Sequence, residues 1–117
     1  MKKVDEKAIA QAVGRIIAKK RSERGLTQEV VAEHLDIGYE AVSRIERGTV
    51  MPTIARLMEL ADIFGCGVDA LLVESSHRAT DQAEYIAELI KKVSEADREL
   101  IVDVVEKLSN RLQKKGR

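Results

Sequence analysis

The chain has 117 residues, of which 44% are hydrophobic and 34% charged, so it can bury the core of one ordinary domain or of a compact domain with a shorter appendage. Its 20 basic and 20 acidic residues cancel, which argues against a polybasic coat for nucleic acid and against a disordered acidic tail. The single cysteine, Cys66, excludes an internal disulfide and fits a reducing compartment. Because no apolar run reaches the roughly 18 residues of a membrane span and no signal-peptide pattern begins the chain, we expect a cytoplasmic protein.

The first predicted helix covers residues 7–24. Its apolar residues follow the i, i+4, i+7, i+8 spacing of one helical face, which we expect to be buried. Gly25 follows at the position where a left-handed backbone commonly ends a helix. The residues of the buried face are Ile9, Val13, Ile16 and Ile17.

Two short helices are predicted next, with a tight turn between them. Thr27 can cap the first, because its hydroxyl can accept from a backbone N–H that has no partner inside the helix. The second begins near Gly38 and ends at Gly48. Their expected buried residues are Val31 and Leu35 on the first helix, and Val42 and Ile45 on the second.

A fourth helix follows Pro52, with Thr53 as its cap and Gly65 at its end, and a short fifth helix covers residues 68–72. These five helices are predicted to form one unit over residues 1–72. Since neither a strand pattern nor an internal repeat occurs along the sequence, we expect an all-α protein.

Residues 73–82, VESSHRATDQ, interrupt the helical pattern and are predicted to be a linker. A C-terminal helical hairpin over residues 83–117 follows, with helices at about 83–93 and 95–115 and Ser94 as the cap of the second. Two helices of this length bury a continuous apolar side poorly by themselves. The last helix therefore either dimerises across a two-fold axis or folds back on the five-helix unit. Its apolar side consists of Leu100, Ile101, Val104, Val105, Leu108 and Leu112.

Residues 24–48 are the most informative segment. Ala32 lies where the second and third helices would cross, since a large side chain there would hold them apart. Ile37 fills the corner, and Asp36 occupies a turn position that approaches the left-handed region. Small, apolar and turn residues at these offsets are typical of a helix-turn-helix.

With these residues in place, the sequence resembles the XRE family of helix-turn-helix proteins, which includes the lambda-type phage repressors and Cro. The resemblance spans about residues 11–72 and implies a five-helix domain whose third helix enters the major groove of DNA, usually as a dimer. The whole arrangement is similar to SinR-like regulators in its helical pattern. Asp36, Gly38 and Gly67 depart from the family's usual residues, at a local cost in stability. The resemblance is carried by Val13, Gly14, Ile17, Arg21, residues 25–28 (GLTQ), Ala32, residues 43–48 (SRIERG), Pro52 and the apolar spacing of residues 57–72.

The resemblance assigns exposed side chains of the third helix to base edges, and their chemistry differs. Arg44 can donate two hydrogen bonds to guanine, worth about 1–3 kcal/mol of discrimination. Ser43 can reach a base or a phosphate, and Tyr39 can bond a phosphate or lay its ring on a thymine methyl group. Glu40 either accepts from the N4 amine of cytosine or is a charge near the helix N-terminus that makes no DNA contact.

Phosphate contacts are expected from Thr27 and Gln28, at the start of the second helix, where backbone N–H groups face outward. Arg47 and Thr49, at the end of the third helix, are the other candidates. Capping alone explains Thr27, although the two roles can coexist, and Arg47 has the alternative of being a solvated surface charge.

The resemblance also implies a structural ion pair between Arg21 and Glu46. This pair would fasten the first helix to the end of the third and so orient Arg44 and Arg47 indirectly. An exposed pair alone would contribute only about 0–1 kcal/mol.

Two functions are compatible with these features. The first is a sequence-specific regulator of transcription, a repressor, that binds a palindromic operator in double-stranded DNA as a homodimer. The second is a protein-interaction module, such as an antitoxin, whose last helix binds a different protein. We predict neither an enzyme nor a cofactor, because no catalytic pattern occurs. His34, His77 and Cys66 lack the spacing of metal ligands, so no metal site is predicted either.

The zero net charge conceals local segregation. Residues 15–24 carry five basic side chains and one acidic one, while the stretch from Lys107 onward carries five basic and none acidic, after the acid-rich run 81–106. We therefore expect modest non-specific affinity for DNA, with a salt dependence that reports only the few phosphates contacted.

Overall fold

The computed structural model describes residues 3–115, which form seven helices and no strand, so the all-α prediction is confirmed. The chain divides into two compact units, one up to Gln82 and one from Ala83 onward. Within the described residues, no helix is long and apolar enough to cross a membrane. The helices are α1 (Glu6–Glu23), α2 (Gln28–Leu35), α3 (Tyr39–Arg47), α4 (Ile54–Phe64), α5 (Val68–Val73), α6 (Ala79–Ile90) and α7 (Glu95–Lys115).

The core of the first unit lies between α1 and the four helices that follow it. α1 contacts α3, α4 and α5, and α2 contacts α3 and α4. Complete burial of an aliphatic side chain contributes about 1.5–3 kcal/mol, so this core is the main source of the unit's stability. Its most deeply buried side chains are Val13, Ile17, Val31, Val42, Leu60 and Leu71.

Short-range hydrogen bonds set the helix ends close to where the sequence predicts them. The hydroxyl oxygen of Thr27 accepts from the backbone N–H of Val30 (3.2 Å), and that of Thr53 accepts from Arg56 (3.1 Å). After α1, Gly25 has the left-handed backbone expected of it, with φ +68°. A further cap, Asp5, accepts from Ala8 at the start of α1 (3.1 Å).

α6 begins four residues earlier than the sequence pattern predicts, so the end of the predicted linker 73–82 is helical. The Ser76 hydroxyl donates to the carboxylate of Asp81 (2.7 Å) and accepts from the backbone N–H of Arg78 (3.1 Å). These two bonds organise the first turn of α6. The polar residues that suggest a linker are therefore the residues that start the helix.

The second unit has no buried side chain among its described residues 83–114. The Ser94 hydroxyl accepts from the backbone N–H of Asp97 (3.2 Å), as predicted for the cap of α7. The apolar side of α7 is largely exposed, from 49% at Val105 to 63% at Leu100. This segment lacks the core that would stabilise it as an isolated hairpin.

Candidate nucleic-acid interface

The turn between α2 and α3 depends on Asp36, which has a left-handed backbone (φ 56°, ψ 47°). In this conformation the N–H of Asp36 donates to Glu33 O (3.2 Å) and the N–H of Ile37 donates to Ala32 O (3.0 Å), which satisfies the last carbonyls of α2. Asp tolerates the left-handed region better than most residues with a side chain. The turn therefore forms without the glycine that is usual in the family.

The first and third helices approach each other closely at Gly14. A Cβ atom at this position would overlap the backbone carbonyl oxygens of Ile45 and Glu46. Because backbone atoms cannot rotate away as a side chain does, the glycine lets α3 lie directly on α1. Gly14 thus sets the depth of α3 in the domain, a role that the local sequence pattern did not reveal.

Glu46 is the point at which the first three helices are tied together. Arg21 donates to both of its carboxylate oxygens, from Nε to Oε2 (2.7 Å) and from Nη2 to Oε1 (3.1 Å). Gln28 donates from Nε2 to Oε1 (2.9 Å), and Arg21 Nη1 donates to Leu26 O (2.8 Å). Glu46 is only 9% exposed, and its hydrogen bond raises the pKa of the Arg21 guanidinium.

The ion pair between Arg21 and Glu46 differs in this respect from exposed ion pairs, which contribute little to stability. The two charges form a bidentate contact that is largely shielded from water, so screening by salt is weak. Glu46 belongs to α3, whose exposed residues are the candidates for DNA contact. The pair therefore holds the end of α3 against α1.

The outward face of α3 carries the four residues that the resemblance assigns to base edges. Tyr39, Glu40 and Arg44 are exposed and Ser43 is partly buried, while Val42, between them in sequence, is buried. Arg44 Nη2 lies 3.6 Å from Glu40 Oε2, and both side chains are more than half exposed. Arg44 therefore has a weak partner that a guanine can replace.

The candidate phosphate contacts differ in exposure, since Thr27, Arg47 and Thr49 are exposed whereas Gln28 is partly buried. Thr27 and Arg47 are exposed, and the Arg47 Nε–H donates to Ser43 O (3.3 Å), which leaves its two terminal nitrogens for other acceptors. Thr49 donates its hydroxyl to Arg44 O (3.1 Å). Gln28 is partly buried, and its amide nitrogen is already engaged with Glu46, so its first role is to support α3.

The basic cluster of residues 15–24 contributes less surface charge than its composition suggests. Arg21 is paired with Glu46, and Lys20 Nζ lies 2.9 Å from Glu74 Oε2 after α5. The hydrogen bond to Glu74 raises the pKa of the Lys20 ammonium, with partial burial acting against it. Two of the five basic groups therefore hold the domain together. Arg15, Lys19 and Arg24 are the members left exposed.

Comparison with known proteins agrees with this geometry. A family model described as "Helix-turn-helix" matches residues 17–71. An uncharacterized HTH-type transcriptional regulator of Sinorhizobium fredii is 42% identical over 53 residues, which are 45% of this chain and 69% of that protein. The chain belongs to the XRE-type helix-turn-helix family of transcriptional regulators.

Two further relatives show how far the likeness extends along the chain. The immunity repressor protein of Bacillus phage phi105 is 30% identical over 92 residues, or 79% of this chain and 64% of the phage protein. The HTH-type transcriptional regulator RamB of Mycobacterium tuberculosis is 30% identical over 91 residues, but the chain spans only 18% of its length. The chain thus spans less than two thirds of both proteins.

Beside the recognition face typical of this family, a depression of about 240 Å³ separates α3 from the start of α4. Its polar margin includes Arg44 and Arg56, and Arg56 also contacts Glu59 on its own helix (3.3 Å). Arg56 is absent from the residues predicted to bind DNA, because the family pattern points to α2 and α3. Its proximity to Arg44 depends on the packing of α4, which the local sequence does not encode.

Proposed function

We propose that this chain is a transcriptional repressor that binds a palindromic operator in double-stranded DNA as a homodimer. α3 lies in the major groove, while the start of α2 and the end of α3 face the flanking phosphates. The observation that carries this proposal is the orientation of α3, whose apolar side is buried and whose polar side, with Tyr39, Glu40 and Arg44, is open. The relative from phage phi105, named as an immunity repressor, supports repression as the outcome.

Specificity in this proposal comes mainly from Arg44. Its side chain is 54% exposed, and the guanidinium can form two parallel hydrogen bonds with O6 and N7 of guanine. Ser43 and Tyr39 add shorter-reach contacts to a base, a methyl group or a phosphate. Glu40 accepts from a cytosine N4 amine where the operator presents one. Elsewhere its carboxylate repels the phosphate backbone of the DNA, which disfavours other positions of α3 in the groove.

The homodimer is proposed to form through the apolar side of α7. The described second unit has no core of its own, and its exposed leucine and valine side chains need a partner surface. A two-fold symmetric pair would give one recognition helix to each half-site, so that operator symmetry follows from protein symmetry.

Selection of bound sites from random duplex DNA with the full chain tests this proposal. We expect an inverted repeat whose half-site centres are about 10 base pairs, one helical turn, apart or a multiple of that distance. The Arg44→Ala chain, selected in parallel, should lose preference at one base pair in each half-site and keep the others. No enrichment with the wild-type chain, or enrichment of a single unrepeated site, would overturn the function or the dimeric mode respectively.

The second candidate is an antitoxin-like module that binds a different protein through α7, and the same exposed apolar side is the observation that favours it. Purification of the tagged full chain from its own cells separates the two. A homodimer without a second protein supports the repressor. A stoichiometric second protein that is lost on Leu108→Asp, together with an absence of sequence-selective DNA binding, supports the module.

A further inference from the structure

Charge is divided sharply along α7. From Glu95 to Glu106 the sequence carries five acidic side chains and only one basic one, Arg98. From Lys107 to the described end of α7 it carries four basic side chains and no acidic one. The helix therefore has an acidic half and a basic half, in the order that complements its macrodipole.

The one basic residue of the acidic half is turned away from the surface of α7. Arg98 Nε donates to Ile90 O (2.8 Å) and its Nη2 donates to Lys91 O (3.3 Å), so it caps the end of α6. The exposed charged side chains of the acidic half are consequently all negative. At the boundary between the halves, Lys107 contacts Asp103 within the helix (3.0 Å).

Two opposite charges lie in line with the apolar side of α7, one toward each end of it. Asp97, Val104 and Arg111 are spaced seven residues apart, which brings them to nearly the same line along an α-helix. Asp97 and Arg111 are exposed, and among the described residues neither is in a salt bridge. They are about 21 Å apart along the helix axis, so they cannot pair within one chain.

We infer that the surface covering the apolar side of α7 is α7 of a second copy of this chain, running antiparallel and crossing near Val104. This inference rests on the proposed homodimer and adds the orientation of its helices. In this arrangement Asp97 of each copy lies opposite Arg111 of the other, which gives two equivalent ion pairs. The acidic half of each helix then faces the basic half of its partner, whereas a parallel pair would set like charges side by side.

Charge reversal in the full chain tests this orientation. Asp97→Arg or Arg111→Asp alone turns both ion pairs into repulsive contacts, and we expect the dissociation constant of the dimer to rise roughly tenfold. The double swap, D97R with R111D, restores opposite charges and should recover most of the dimerisation. Glu99→Arg is the matched control, since it makes the same charge change as Asp97→Arg on the far side of α7 and should alter the constant little.

Sedimentation equilibrium measures these constants, and circular dichroism verifies that every variant keeps its helix content. If the wild-type chain is monomeric at all concentrations, the homodimer itself is wrong. If it dimerises but the double swap is as weak as its single variants, only the antiparallel pairing is wrong. The two failures are therefore distinguishable.

Disulfide trapping in a Cys66→Ala background gives an independent measure of orientation. A mixture of Asp97→Cys and Arg111→Cys chains should form a disulfide between the two different variants. Asp97→Cys alone should form little, because its two copies lie far apart in an antiparallel pair. Efficient self-linking of Asp97→Cys, with no link to Arg111→Cys, would indicate a parallel dimer and overturn the inference.

Discussion

Glu46 shows how one carboxylate can connect the stability of the domain to the position of α3, the helix proposed to bind DNA. Its oxygens accept from Arg21 and Gln28, so one side chain of α3 holds the end of α1 and the start of α2. Hydrogen bonds to charged groups contribute more than neutral ones, and they are lost together when such an acceptor is removed. The position of α3 is therefore fixed by a polar contact as well as by its buried valine and isoleucine.

We expect Glu46→Ala to lower the free energy of unfolding by about 2–4 kcal/mol, because it leaves the shielded guanidinium of Arg21 without its partner. Urea denaturation measures this loss. Glu59→Ala, which removes the exposed partner of Arg56, is the control and should cost no more than about 1 kcal/mol. Equal losses in the two variants would show that shielding gives the Glu46 pair no advantage.

At the scale of the helices, the contact between α1 and α3 depends on the absence of a side chain at Gly14. In an isolated helix, Gly14→Ala would be stabilising by about 0.5–1 kcal/mol. Here the added methyl group overlaps two backbone carbonyl oxygens, and overpacking of this kind costs about 1–3 kcal/mol. We therefore expect Gly14→Ala to lower the free energy of unfolding. We expect it to weaken the free energy of operator binding by more, since α3 must move outward.

A control with the opposite sign exists at the start of α3. Gly38 has φ −72° and open space around its missing Cβ atom, so Gly38→Ser fits and adds a capping hydroxyl. Thermal unfolding should show a small gain for this variant and a loss for Gly14→Ala. A gain for both variants would mean that α1 and α3 can separate at no cost.

The ion pair between Lys20 on α1 and Glu74 at the end of α5 makes the free energy of unfolding depend on pH in the alkaline range. Because Glu74 raises the pKa of Lys20 in the folded chain, this pair stabilises the fold fully below the unfolded pKa of about 10.4 and loses its effect as pH rises through the folded value. Lys20→Met should therefore be less stable than the wild type at neutral pH, by about 1–3 kcal/mol. The difference should shrink above about pH 10.4.

Urea unfolding of the two chains between neutral pH and pH 12 provides this comparison. Burial also raises the pKa of the Cys66 thiol, which adds to the alkaline loss, and because Lys20 lowers this pKa, both chains are compared in a Cys66→Ala background. Lys19→Met, at an exposed neighbouring position, should follow the wild type throughout. A constant difference between the wild type and Lys20→Met at all pH values would contradict the ion-pair origin of the effect.

The helix ends were predictable because the groups that set them are close in sequence. Thr27, Thr53 and Ser94 each accept from a backbone N–H three residues later, so composition and spacing indicate the cap. The sequence does not predict the start of α6, because Ser76 acts through two different partners. Contacts such as Gly14 with Ile45, or Lys20 with Glu74, join residues far apart in the chain, and only packing reveals them.

At the scale of the whole molecule, zero net charge is compatible with DNA binding because some basic side chains are held in ion pairs within the fold while others are exposed. Residues 1–72 carry 11 basic and 11 acidic side chains, and two of the basic ones are held in internal pairs. In the proposed complex, Arg44 and Arg47 are the exposed basic groups that meet DNA, the first at a base edge and the second at a phosphate. In the proposed homodimer, specific affinity comes from placing two α3 helices at the correct distance, since the net charge of the chain adds little.

The salt dependence of operator binding distinguishes basic side chains that contact phosphate from those held in ion pairs within the fold. In the proposed homodimer, Arg47 of the two protomers contributes about −2 to the slope of log affinity against log salt concentration, whereas Arg44 adds little because it contacts a base. Arg47→Gln should make this slope shallower by about two, because one phosphate contact is lost in each half-site. Lys20→Gln removes the same formal charge, but its ammonium is held by Glu74, so the slope should stay unchanged. Fluorescence anisotropy over a range of salt concentrations gives all three slopes, and equal changes in the two variants would mean that total charge, rather than the placement of Arg47, governs binding.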